Sequence, residues 1–186
     1  MKTLIFNGSP RKNGDTASLL RLLTAQLEGA YHIVNAYECG IAPCVDCRWC
    51  CSHSGCAIDD GMTALFAEIA ACDNLLIASP VYFTALTGPL LSLASRLQSF
   101  FCNQRFLGQP PQLREKRGAV LLVGGGSGAP THADLTARCL LRLMHATELL
   151  PLVGSFHTDR VPAVEDPAAI AGLREIAAFF NGRRDG

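Results

Sequence analysis

Four cysteines, Cys44, Cys47, Cys50 and Cys56, stand at the spacing C-x2-C-x2-C-x5-C, with Cys39 and Cys51 close by. Such short separations let the backbone wrap a compact centre, so four thiolates here can ligate an iron-sulfur cluster or a zinc ion. Unliganded thiols are the third reading, and the spacing leaves all three open. His53 is the one histidine placed to join this loop; His32, His132, His145 and His157 are scattered. The chain has nine cysteines. No secretory core is visible in the opening MKTLIFNGSP, so thiols in a reducing cytoplasm are expected rather than disulfides. Cys72 and Cys139 read as small buried apolar residues on helices, and Cys102 is left without a role.

A second kind of chemistry is written in Gly8-Ser9-Pro10-Arg11-Lys12-Asn13-Gly14-Asp15-Thr16. The stretch leads into a helix whose first N–H groups and dipole favour an anion, and Ser9, Arg11, Asn13, Gly14 and Thr16 could surround a phosphate with no metal. It is not a nucleotide-triphosphate loop, because five residues separate Gly8 from Gly14 and Asp15 stands where lysine is needed. The G-x-G-x-x-G fingerprint of dinucleotide-binding folds is missing too. Further on, Ser79-Pro80-Val81-Tyr82-Phe83-Thr84 sets two aromatics beside a proline, where a flat ring could pack. Gly125 and Gly126, within Gly124-Gly125-Gly126-Ser127-Gly128, allow close approach of backbone to a ligand.

These loops need a frame that brings them together. Apolar runs at Lys2–Phe6, Tyr31–Tyr37, Asn74–Ala78, Gly118–Val123 and Leu150–Phe156 read as strands. Helical spacing is found at Thr16–Leu27, from Met62 through Ile69, at Gly88–Phe101, at Asp134–Thr147 and at Pro167–Phe180. Asp59 or Asp60 is available to cap the second helix, and Asp166 the last. Strict alternation of strand and helix argues for one α/β domain over residues 1–186. Its expected form is a three-layer sandwich with a five-stranded parallel sheet of order 2-1-3-4-5 and helices on both faces. The cysteine-rich segment at about 38–61 is a long loop after the second strand. In a parallel sheet every loop that follows a strand leaves by the same edge, so the phosphate, aromatic and glycine loops share one rim.

Composition narrows the partners. Lys plus Arg equals Asp plus Glu at 16 each, so no basic field exists to hold nucleic acid or an anionic membrane. The most apolar stretch, Leu75 to Leu93, is interrupted by Ser79, Pro80, Thr84 and Gly88 and reads as strand, loop and helix rather than a membrane span.

With Asn7-Gly8-Ser9-Pro10-Arg11, Gly14, Thr16 and Ser79-Pro80-Val81-Tyr82 in view, nearly the whole chain resembles the flavodoxin-like NAD(P)H-dependent FMN reductases. The resemblance implies that Ser9, Arg11, Asn13, Gly14 and Thr16 hold the FMN phosphate, while Pro80, Val81, Tyr82 and Phe83 line the ring. The cysteine motif is similar to that of the iron-sulfur flavoproteins, which implies a [4Fe-4S] cluster at Cys44, Cys47, Cys50 and Cys56. Two positions depart from the family. Asp15 stands where an uncharged polar residue is common, a placement unfavourable beside phosphate unless the carboxylate points away or caps the helix. Ser95 precedes Arg96 where relatives often have an Asp-Arg pair, and this pair is given no role.

The expected activity is electron transfer from NAD(P)H, through bound FMN, to an acceptor. One pocket serves donor and acceptor in turn, because the chain has no room for a separate nicotinamide domain. The alternatives are an iron-sulfur electron carrier and a zinc-bound or thiol-based sensor without flavin. By analogy with the family the protein is a homo-oligomer, with Gly88–Phe101 available as its interface.

Overall fold

The structure is a computed structural model and describes residues 1–127 and 129–182; Gly128 of the glycine loop lies outside them. Its strands are β1 Lys2–Asn7, β2 Ala30–Asn35, β3 Asn74–Pro80, β4 Lys116–Gly124, β5 Ala146–Leu149 and β6 Val153–Phe156. Its helices are α1 Asp15–Thr24, α2 Met62–Ala71, α3 Gly88–Ala94, α4 Gln98–Leu107, α5 Thr131–Leu143 and α6 Pro167–Asn181. The sheet runs β2-β1-β3-β4-β5, with β6 also paired to β4, and every one of these pairings is parallel.

Because neighbouring side chains on a strand point to opposite faces, a strand covered on both sides must be apolar throughout. Leu4 and Phe6 enter one core layer and Ile5 the other; Leu75 and Ile77 are divided from Leu76 and Ala78 in the same way. One face is sealed by Met62, Leu65 and Ile69 of α2, Leu90 and Leu93 of α3, and Ala137 and Leu141 of α5. Leu19, Leu20 and Leu23 of α1 and Leu173, Ile176 and Phe180 of α6 seal the other. No helix among the described residues is long and apolar enough to cross a membrane.

Three expectations about elements need correction. The fifth sheet position is shared by two short strands, giving a six-stranded sheet. β5 lies beside Lys116–Gly118 and β6 beside Leu121–Gly124, with Pro151, which has no N–H to donate, in the gap. The helix expected to reach Thr147 stops at Leu143, because His145 takes a left-handed conformation (φ 68°) that ends the turn and releases Ala146 into β5. Gly118 makes this pairing close, since a Cβ there would lie 2.5 Å from Leu149 Cδ2 and 3.0 Å from Ala146 Cβ. The helix expected over Gly88–Phe101 is α3, a 3₁₀ turn at Ser95–Leu97, then α4.

Asp166 caps α6 as expected, its Oδ1 accepting from Ala168 N (3.0 Å) and Ala169 N (3.3 Å). Its Oδ2 accepts from Ser155 Oγ at 2.8 Å, so the cap also ties α6 to β6. Asp166→Ala is therefore expected to lower unfolding free energy by about 1–2 kcal/mol in urea denaturation, with Asp166→Asn losing less.

Candidate functional site

Two clusters occupy the carboxyl rim. The first forms where β1 meets α1. Asn7 Oδ1 accepts from Ser9 N (3.0 Å) while Asn7 Nδ2 donates to Asn35 Oδ1 (2.8 Å), which turns the chain sharply at the strand end. Gly8 is pressed against the next loop: its N–H donates to Ala78 O and its carbonyl accepts from Thr87 Oγ1, both at 2.8 Å. A Cβ at Gly8 would lie 2.8 Å from Ser79 Oγ. Gly14 caps α1 without a side chain, so no side-chain acceptor occupies the first-turn amides. Asp15 Oδ1 accepts from Ala163 N at 3.0 Å. One oxygen of the carboxylate is thus held by the turn before α6.

The resulting cleft, about 330 Å³, is lined by Ser9, Arg11, Asp15 and Thr16 from the first loop and by Pro80, Val81 and Tyr82 from the second. Gly125 reaches it from the third. Four other residues singled out in the sequence stand apart from it. Asn13 is exposed, and Gly14 lies beneath Arg11, where a Cβ would be 3.0 Å from Arg11 Cβ. Gly126 uses its carbonyl to accept from His157 N (2.8 Å). Phe83 sits at the apex of a tight turn and is fully exposed, because Tyr82 and Ala85 exchange two main-chain hydrogen bonds of 3.0 Å and force Phe83 and Thr84 to φ 51° and 66°. Thr158 and Asp159 also line the cleft and were missed. Both follow β6, and Leu150–Phe156 was read as a single strand with nothing functional after it.

The second cluster is the cysteine loop. Arg96, whose side chain has no exposed surface, donates from Nη1 to Ala42 O (2.9 Å) and to Asp60 Oδ2 (2.7 Å), and from Nη2 to Ile58 O (3.0 Å). One guanidinium therefore closes the loop across its two ends. Ser95 Oγ accepts from Cys44 N at 2.9 Å. Asn103, two turns beyond Arg96 along the helical segment, holds the tip: its Nδ2 donates to Cys50 O (2.7 Å) and His53 O (3.0 Å), and its Oδ1 accepts from Gly55 N (2.9 Å). Asp60 serves α2 as well, accepting from Met62 N at 2.9 Å. Burial works against its charge, yet Arg96 and the Met62 and Ala42 amides hold its carboxyl below the ordinary value of 3.8.

Cys44, Cys47, Cys50 and Cys56 all line one small cavity, together with Cys51, Cys102 and Arg96. The sulfurs drawn nearest to one another are those of Cys50, Cys51 and Cys102, all within 4.8 Å. Burial first, then Cys102 and Cys51, push the Cys50 thiol up to about 12. Burial and Cys102 raise Cys51 in the same direction. His53 stacks on Trp49 (centroids 3.7 Å apart) and shares a 2.9 Å hydrogen bond with Ser52 Oγ. Cys72 is buried as expected, whereas Cys139 is exposed on α5. Sequence reasoning left Cys102 and Arg96 without roles because neither lies within the short-range motif.

A family model described as NADPH-dependent FMN reductase matches residues 1–159. An iron-sulfur flavoprotein of Methanosarcina thermophila is 26% identical over 183 residues, covering 95% of this chain and 92% of that protein. An iron-sulfur flavoprotein of Archaeoglobus fulgidus is 26% identical over 155 residues, covering 82% of this chain and 66%, just under two thirds, of that protein. Among solved structures, an NAD(P)H:quinone oxidoreductase from Methanothermobacter marburgensis superposes with TM-score 0.70 at 15% identity, covering 100% of this chain and 98% of that one. At that identity the likeness is one of fold.

Removing the Arg96 guanidinium leaves the Ala42 and Ile58 carbonyls without this donor and Asp60 with only the Ala42 and Met62 amides. Arg96→Met is expected to cost about 3–5 kcal/mol in guanidinium unfolding, with Arg96→Lys between it and wild type. Since the folded Asp60 value lies below the unfolded one, its contribution is present above 3.8 and is lost as pH falls through the folded value. Asp60→Asn should remove that part of the acid dependence.

Proposed function

Because the chain belongs to the NADPH-dependent FMN reductase family, we propose that it binds FMN in the cleft between the first and second loops and passes electrons from NAD(P)H to a small-molecule acceptor. The observation that carries this reading is the meeting of a helix N-terminus whose first-turn amides have no side-chain cap, and whose Asp15 has one oxygen engaged by Ala163 N, with a wall of Pro80, Val81 and Tyr82. The residues fit the group. First-turn amides of α1, Ser9 Oγ and Arg11 would hold the phosphate, and the buried Thr16 stands beside them.

When bound, FMN supplies the redox chemistry, accepting a hydride from nicotinamide and releasing electrons to the acceptor. The protein orients and shields. Tyr82, held by the two hydrogen bonds to Ala85, gives a fixed apolar surface for the ring, and the loop glycines leave room for it. No side-chain base is needed, and the cleft is open on one side to donor and acceptor in turn. Self-association, with exposed Phe101 and Phe106 on α4 and Leu91 on α3 as its surface, belongs to the same proposal.

A second reading, an electron carrier with a four-iron cluster at Cys44, Cys47, Cys50 and Cys56, is favoured by the names of the archaeal relatives and by the shared lining of one cavity. The donor chemistry fits, since all four are thiols. The arrangement of the sulfurs does not favour it: those drawn together are Cys50, Cys51 and Cys102, two of which lie outside the motif. No step of the proposed reaction is routed through it.

FMN titration followed by quenching of flavin fluorescence tests the lead reading. We expect saturable binding, weakened about 10–100-fold by Arg11→Ala, as loss of a charged hydrogen bond implies. FMN-loaded protein should oxidise NAD(P)H in the presence of a quinone or ferricyanide. Saturable FMN binding without NAD(P)H oxidation would point to the carrier, and anaerobic iron and sulfide analysis would then decide it.

A further inference from the structure

We propose that the cysteine pocket is a mononuclear site for a thiophilic closed-shell ion of the Zn²⁺ class, held by Cys50, Cys51 and Cys102. The proposal does not depend on flavin binding. Its first support is spacing. With metal–sulfur bonds of about 2.3 Å, sulfurs around one tetrahedral or trigonal ion lie about 3.8–4.0 Å apart, and these three already lie within 4.8 Å of one another. The thiolates of a cubane stand farther apart, because several irons lie between them.

The second support is the shared lining, since Cys50, Cys51 and Cys102 all border the same small cavity. The third is charge. Three thiolates around a divalent ion leave one negative charge, and Arg96 lines the same cavity with its side chain fully buried and its Nε without a partner. That N–H is the remaining donor of a guanidinium that contacts Ala42, Ile58 and Asp60 and also lies against the Cys56 thiol, on the wall of the same cavity.

The fold explains the convergence. Cys50 and Cys51 lie on the 3₁₀ turn Trp49–Cys51, which begins behind Arg48 in a left-handed conformation (φ 60°). Asn103 grips that turn through the Cys50 carbonyl, and the residue before Asn103 on α4 is Cys102. Gripping the turn therefore delivers Cys102 to it. On binding, three S–H bonds are replaced by three metal–sulfur bonds and three protons pass to solvent. Water is left to complete the coordination.

The test uses the full-length protein, reduced, stripped with chelator and titrated anaerobically with Co²⁺, followed by displacement with Zn²⁺. Thiolate-to-cobalt charge-transfer absorbance should saturate at one ion per chain. Cys102→Ser and Cys51→Ser should each weaken binding at least about 10-fold, no less than losing an outer partner of a metal ligand, while Cys44→Ser and Cys47→Ser stay close to wild type. Circular dichroism melts identify any variant that has not folded, and Cys51, which is only half-buried, provides a second probe where buried Cys102 does not tolerate change. No thiolate band in wild type would overturn the proposal. So would a band that survives both Cys51→Ser and Cys102→Ser. A band that Cys44→Ser or Cys47→Ser abolishes would overturn this ligand set in favour of the loop motif.

Discussion

The cysteine loop exists as a defined object because of one buried guanidinium. A segment from Ala42 to Asp60 with almost no regular structure carries many backbone polar groups and a large ordering entropy. Arg96 meets both difficulties by accepting nothing and donating three times, to the carbonyls at either end and to the Asp60 carboxylate. Ser95 and Asn103 extend the same arrangement along the helical segment. Main-chain hydrogen bonding of the loop is thereby taken over by side chains of a neighbouring element. None of these hydrogen bonds to the loop uses a sulfur.

The parallel sheet does the corresponding work for the cleft. β1 lies between β2 and β3, so the chain order reverses there, and the loops that leave β1 and β3 open a crevice between them. β2 leaves by the same rim and carries the cysteines. How the crevice would receive the proposed phosphate depends on Asp15, which lines it. A carboxylate in the first turn of a helix is favourable for the helix dipole and unfavourable for an incoming phosphate. Turning it onto Ala163 N keeps the first effect and limits the second, and it also couples the mouth of the cleft to the segment before α6.

The sheet order, both cores and the α6 cap were legible because they rest on local pattern: apolar runs, helical spacing and an Asp-Pro start. The split of the last strand was not legible. It depends on His145 adopting a left-handed conformation and on Pro151 interrupting the edge, whereas the sequence pattern there reads as a helix to Thr147 followed by one apolar run from Leu150. The cleft was legible in Ser9, Arg11, Thr16 and Pro80 through Tyr82, whose order follows directly from parallel topology. Thr158 and Asp159 were hidden because nothing in their types marks them; only the pairing of β6 with β4 brings them to the rim. Cys102 and Arg96 were hidden by sequence distance, since each acts on a loop roughly 50 residues earlier, and short-range spacing carries no information about partners across a fold.

The two clusters are therefore built by different physics, and they should respond differently to change. In the cleft the positions are set by strands and main-chain hydrogen bonds, so each side chain adjusts affinity without dismantling its neighbours. In the cysteine pocket a few side chains satisfy the backbone of a long loop, and removing one exposes polar groups that the others were arranged around. Such networks behave as units, with losses that do not add, because the second deletion acts on a loop already released by the first. The pocket that holds the sulfurs together is thus as cooperative as a small core, although its binding partners are hydrogen bonds and not apolar contacts.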